Sequence, residues 1–222
     1  MSTQEPVNIM GVVAFPNPDK EKQAIRFIDS NYNTLFTIRN GESIVLTGFD
    51  GRHTVMPCTY IDDYHAKIGS SVFHICEFAE FVERNGAVYE PEVPVQGASF
   101  GIYEVYQITS VADTSYCFRS YEEAKGKINP SDYHRAYAGM LAEGVTLEDL
   151  WARHNRDSRP FGRQMRSMSM SDIVVIRRGS EKKAYYADRF GFAEAKEFFK
   201  DAPQKSKRRN ELGKNRRDDH SL

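Results

Sequence analysis

AIRFIDSNYNTLFTIRNGESIVLTGFDGRHTVM, residues 24–56, is the stretch that decides the fold class. Short β-rich runs at 24–28, 35–38, 43–46 and 53–56 alternate with turn residues. Asn40-Gly41 and Asp50-Gly51 are the turn signals, because both dipeptides tolerate the positive φ that tight hairpins demand. The stretch therefore reads as an antiparallel β-meander.

Downstream, Ile75, Phe78, Ala79 and Val82 recur at i, i+3, i+4 and i+7. That spacing predicts a helix with one apolar face, stopped by Asn85-Gly86 and packed on the meander. EPEVPVQG, residues 90–97, carries two prolines and reads as an extended linker. Beyond it, a strand is expected at 100–108, a short helical piece near Glu122 and a strand at 133–140. A capping box at Thr146 to Asp149 then opens a helix with Leu147, Leu150, Trp151 and His154 on one face, Trp151 being the expected core anchor. Strands at 171–177 and 183–188 flank a Gly179-Ser180 turn, and 192–199 is expected to close the unit as a short helix.

The fold class is thus α+β, in two small modules: an N-terminal segment (1–22), a β-rich module (23–89), the linker (90–97), an α+β module (98–200) and a tail (201–222). The tail holds seven Lys or Arg against four acids and almost nothing apolar, so it is expected to be a disordered basic tail.

With 40% apolar residues, 12 Tyr and 14 Phe, the 222-residue chain has enough material for a core without disulfides. Thirty basic against thirty-one acidic residues leave a charge of -1, so any nucleic-acid contact must be local. No apolar run is long enough to cross a bilayer and Met1 to Glu5 is unlike a signal peptide, which together predict a cytoplasmic protein without membrane contact. Three cysteines without dense spacing fit a reducing compartment, as free or metal-bound thiols.

Cys58, His65, His74 and Cys76 are the candidate ligands of a structural zinc, since two thiolates and two imidazoles suit a closed tetrahedral site. Cys76 lies off the apolar stripe of its helix, which favours the metal; ordinary packing of Cys and His is the competing explanation. His53 is a spare ligand, and Asp62 or Asp63 would orient an imidazole. GxxxxGK, GxGxxG and HExxH are all absent from the sequence. The expectation is a protein that is not an enzyme. Arg153, Arg156, Arg159, Arg163 and Arg166 form a basic segment suited to phosphates or simply to solvent.

FGIYEVYQI, YEEAK, YHRAYAGML, TLEDLWARHNRDSRPFG, RSMSMSDIVVI and KKAYYADRFGF together resemble the YodL-like domain, over about residues 100–199. The first module, through MPCTYIDDYHAKIG and VFHICEFAEFVERNGAVYEPE, is similar to a segment that accompanies that domain in proteins of Firmicutes conjugative elements and phages. The resemblance implies a mobile-element accessory protein and carries over no catalytic residue.

Three functions follow as expectations. The first is an anti-defence protein, most concretely an anti-CRISPR that binds a type II Cas9 effector or its guide complex and blocks nucleic-acid loading or cleavage. Glu77, Glu80 and Glu83, expected on the exposed side of the helix, or Asp62 and Asp63, would supply the acidic surface for it. The second is a nucleic-acid-binding accessory protein of conjugation or plasmid maintenance, working through the arginine segment and the basic tail. The third is a metal-dependent enzyme built on the Cys/His cluster.

Overall fold

The computed structural model describes residues 23–161 and 164–200, together with the backbone of a short antiparallel hairpin, β1 (Val7–Ile9) and β2 (Val12–Ala14). The tail from 201 to 222 and Arg163 lie outside the described residues, as does most of the expected N-terminal segment.

The 24–56 stretch folds as strands in antiparallel pairing, but in two pieces. β3 (Ala24–Ile28) pairs with β4 (Thr34–Arg39) as a separate hairpin. Its turn is organised by Asp29, whose carboxylate accepts from the N–H groups of Asn31 and Asn33 at 2.9 Å each. β5 (Ser43–Thr47), β6 (His53–Tyr60), β7 (His65–Ile68), β8 (Ser71–His74) and β9 (Val88–Pro91) form a five-stranded sheet in the order β8-β7-β6-β5-β9. Asn40-Gly41 is a crossing between the two pieces: Gly41, at φ +91°, donates its N–H to Cys58 O on β6. A side chain at that φ would be strained, so glycine fits where the chain changes sheets.

α1 (Ile75–Arg84) follows directly from β8. His74 and Glu77 form a capping box at its start, and Ile75, Phe78, Ala79 and Val82 are its buried residues. The stripe packs as its spacing requires. Phe78 meets Phe27 and Tyr89 edge-on at 5.8 and 5.1 Å, and Phe36 sits 5.6 Å from Tyr89. A fully buried aromatic or aliphatic side chain contributes roughly 1.5–3 kcal/mol, so this cluster is a main anchor of the first half.

The second sheet has the order β11-β10-β12-β13-β14, built from β10 (Gly101–Ile108), β11 (Tyr133–Leu141), β12 (Ile173–Arg178), β13 (Glu181–Ala187) and β14 (Phe192–Glu194). α2 (Tyr121–Ala124) and α3 (Leu147–His154) complete it. The closing helix expected at 192–199 is instead β14 followed by a 3-10 turn, Lys196–Phe199. Ala193 pairs with Tyr186 across the turn at Gly191, which stands at φ +76°, so hairpin pairing prevails over local helix preference. Trp151 is half-buried, with its ring edge-on to Phe192.

The two sheets share apolar contacts. One buried cluster joins Ile25, Phe27, Ile44 and Phe78 to Ile102, Ala138, Met140 and Ala142 of the second half. Tyr137 donates its hydroxyl to Glu83 O at 3.1 Å, and Arg135 donates to Phe49 O while its guanidinium lies over the Phe49 ring. No helix among the described residues is long and apolar enough to cross a membrane.

Candidate partner-binding face

β6, β7 and β8 position three of the four expected zinc donors and α1 the fourth, Cys76, and the pleat separates Cys58 from the histidines. Cys58 pairs with Ile68 and Tyr60 with Ala66; Cys58, Ala66 and Ile68 are all buried against the core. His65 is the neighbour of Ala66, so its side chain leaves the other face of the sheet. There the register sets it directly opposite His74. Cys58 lies beneath, its Sγ donating to Met56 O at 3.4 Å, and burial pushes its thiol up to about 11. Cys76 packs half-buried against Ile28, Ile75 and Ala79. Among the described residues, no three His, Cys, Asp or Glu side chains are grouped to hold a metal ion. The donor set does not fit a single zinc centre, and no chemical step is derived through one.

What the strands do bring together is the histidine pair. The His65 and His74 rings are nearly perpendicular, with centroids 5.2 Å apart. His65 Nδ1 lies 2.9 and 3.0 Å from the two Asp62 oxygens, so Nδ1 carries a proton, and in the neutral ring Nε2 is the acceptor. Asp62 also accepts from the N–H groups of Tyr64 and His65. Burial raises its pKa, but these N–H groups and the His65 imidazole outweigh that and hold the carboxyl below its ordinary value. His74 has the opposite polarity: its Nδ1 accepts from the Cys76 N–H at 3.2 Å, which puts the proton of the neutral ring on Nε2. Metal binding through His74 Nε2 would turn an Nδ1–H toward the Cys76 N–H and break the cap of α1. The pair is a side-by-side acceptor and donor rather than a chelate.

Around it lies an aromatic and acidic face. Tyr64, exposed, stacks parallel to His74 at 6.2 Å. Phe81, also exposed, lies one turn beyond Glu77 on α1. Tyr32 places its hydroxyl against the Cys76 thiol, and that hydrogen bond raises the phenol above its usual value. Asp63 accepts from Tyr60 and Glu80 pairs with Arg84. Glu77 is exposed at the helix start, where it also accepts from the His74 N–H. Glu83, expected on this exposed side, is instead half-buried, and its charge is felt by Tyr103, Tyr137 and Arg153 at the junction of the two halves. The exposed aromatics escaped sequence reading because they sit off the apolar stripe, where pattern alone assigns only solvent.

His53 lies apart from the pair, its Nδ1 2.9 Å from Thr47 Oγ1. The arginine segment divides as well. Arg153 is half-buried beside Tyr103 and Glu83, Arg156 is exposed and Arg159 is half-buried. Arg166 is committed to the fully buried Asp172, so it is a structural partner and not an open phosphate contact. Charge separates along the chain: residues 23–100 hold ten Asp or Glu against five Lys or Arg, and residues 101–200 hold fourteen against sixteen.

Residues 102–198, from the start of β10 to the last 3-10 turn, match the model of the YodL-like domain. No curated protein matches the chain, and no solved structure does. The second half of this chain therefore carries a YodL-like domain.

Proposed function

We propose that this chain is a binding protein, not a catalyst, and that the face around Tyr64, His74, Glu77 and Phe81 docks on the basic nucleic-acid channel of a bacterial defence effector. The carrying observation is that exposed aromatic rings and carboxylates share one surface on the more acidic half of the chain. Aromatic anchors supply contact area and carboxylates supply complementarity to a cationic channel. The mobile-element setting that the sequence resemblance implies makes type II Cas9 or its guide complex the most concrete partner, inhibited at nucleic-acid loading or cleavage. The test is a target-DNA cleavage assay with the full chain titrated against guide-loaded Cas9. Inhibition near stoichiometry, weakened by Tyr64→Ser with Glu80→Lys, supports the reading; full cleavage at a large molar excess of the chain sinks the Cas9 version.

A second reading, nucleic-acid binding in conjugation or plasmid maintenance, rests on the more basic second half and the basic tail. Oligonucleotide binding that falls with salt and is lost on truncation after Asp201 would favour it over the first. The metal-dependent enzyme gains no support from the placement of its four donors.

A further inference from the structure

The second sheet is covered on both faces, but one cover is incomplete. Tyr103, Val105 and Val174 point to one face and pack with Leu150 of α3. Strand alternation sends Ile102, Glu104, Val175 and Arg177 to the other. There Val175 joins Ala124 of α2 and Phe198 in one apolar cluster, while Ile102 and Ala138 join the core of the first sheet. A cavity of about 230 Å³ lies where the two covers meet, lined by Ile102, Ala138 and Val175 and, from β9, by Val88.

The polar part of its lining is charged. Arg135 holds Glu104 at 3.0 Å, and Arg177 holds Glu90 at 3.0 and 2.7 Å, so both acids are already matched by an arginine. Lys182 is the third cation of the same cavity. It stands directly opposite Arg177 across the β12-β13 pair, where like charges repel. Among the described residues its ammonium meets the Phe199 ring and no carboxylate, whereas the adjacent Lys183 pairs with Glu181. Three cations against two carboxylates favour an anion in the cavity.

A second hollow, of about 280 Å³, adjoins the first at Glu90, Ile102 and Arg177, which line both. Pro91, Pro94, Val95, Ala98 and Phe100 give it an apolar wall. Apolar walls with a few convergent polar groups, at the junction of two structural units, are the usual makings of a small-molecule site.

We infer that this junction binds a small amphiphilic anion, with an oxyanion head, carboxylate or phosphate, beside Lys182 and Arg177 and an apolar body over Ile102 against the linker. The site is separate from the docking face on β8 and α1 and does not depend on what that face binds.

The test titrates the ¹⁵N-labelled full chain with hexanoate and, in a second arm, with hexyl phosphate at constant ionic strength, reading backbone amide shifts. Expected are saturable shifts at Gly101, Ile102 and Arg177 with at least one probe, and about ten-fold weaker binding in Lys182→Gln. Lys182 is exposed, so that variant keeps its core. Lys183→Gln removes the same charge from the next residue, whose side chain leaves the opposite face, and should bind as wild type does. The tighter probe identifies the head as carboxylate or phosphate. Saturation by neither probe, or an equal response of the two lysine variants, overturns the site. Hexanol binding as tightly as the anions, or acetate as tightly as hexanoate, overturns it too, by removing the need for the head or for the body.

Discussion

Arg177 on β12 holds Glu90 on β9 through two parallel contacts of 3.0 and 2.7 Å, tying the outermost strand of the first sheet to the centre of the second. Both side chains are more than a third exposed, so solvent screens much of the attraction. Glu90→Gln is expected to cost about 1 kcal/mol, as a bidentate pair loses one charge but keeps a hydrogen bond. Urea denaturation at low and high salt checks this: the difference between wild type and variant narrows as salt rises. A difference that salt leaves untouched would assign the loss to packing.

Arg166→Ala is expected to cost more, about 3 kcal/mol, because it strands the carboxylate of Asp172 in the interior. Asp172 is fully buried and also accepts from Gln107 Nε2 and the Ser169 N–H at 2.9 Å each. Arg166→Ala with Asp172→Asn together should be milder than Arg166→Ala alone, since the asparagine is neutral. A double variant as unstable as the sum of the two single variants would show that the pair does not interact.

Cys58 should resist a thiol reagent in the folded chain, while Cys76 and Cys117, which are half-buried, react first. Burial and the raised thiol both suppress its thiolate. Cys58→Ser is expected to lose about 1–3 kcal/mol by placing a hydroxyl in an apolar site. Its melting temperature should be equally indifferent to a chelator as that of wild type. One equivalent of zinc per chain, with a chelator-sensitive melt, would reverse this picture and restore the four-donor centre.

Where one physical signal dominated, the sequence was legible. The i, i+3, i+4, i+7 stripe of α1 and the capping box of α3 both form with the residues their spacing marks. β7 and β8 were not legible, because each is four residues long and their Gly69-Ser70 turn is shorter than the window in which alternation can be counted. Missing that hairpin is what grouped Cys58 with the histidines. Four donors close in sequence look convergent until a strand's pleat is assigned, and the pleat sends Cys58 to one face and His65 to the other. Glu83 was misplaced for a related reason: a helix face opposite the first core is solvent in a one-sheet picture, but here Tyr137 of the second sheet and Arg153 of α3 come to it.

Acid should destabilise this protein through His154. Burial first, then the charges of Arg153 and Arg159, lower its pKa to about 3, against an ordinary value near 6.5. Between those values the unfolded chain binds a proton that the folded chain does not. Stability from the neutral imidazole is therefore complete above about pH 6.5 and falls as pH drops toward 3, by at most about 1.4 kcal/mol per unit. Urea midpoints measured at pH 7, 6 and 5 for wild type and His154→Gln test it, because carboxylates titrate alike in both and cancel in the comparison. The variant, without the imidazole, should start less stable at pH 7 and lose less on acidification. Parallel slopes in the two proteins would mean that His154 takes up its proton in the folded state as readily as in the unfolded one.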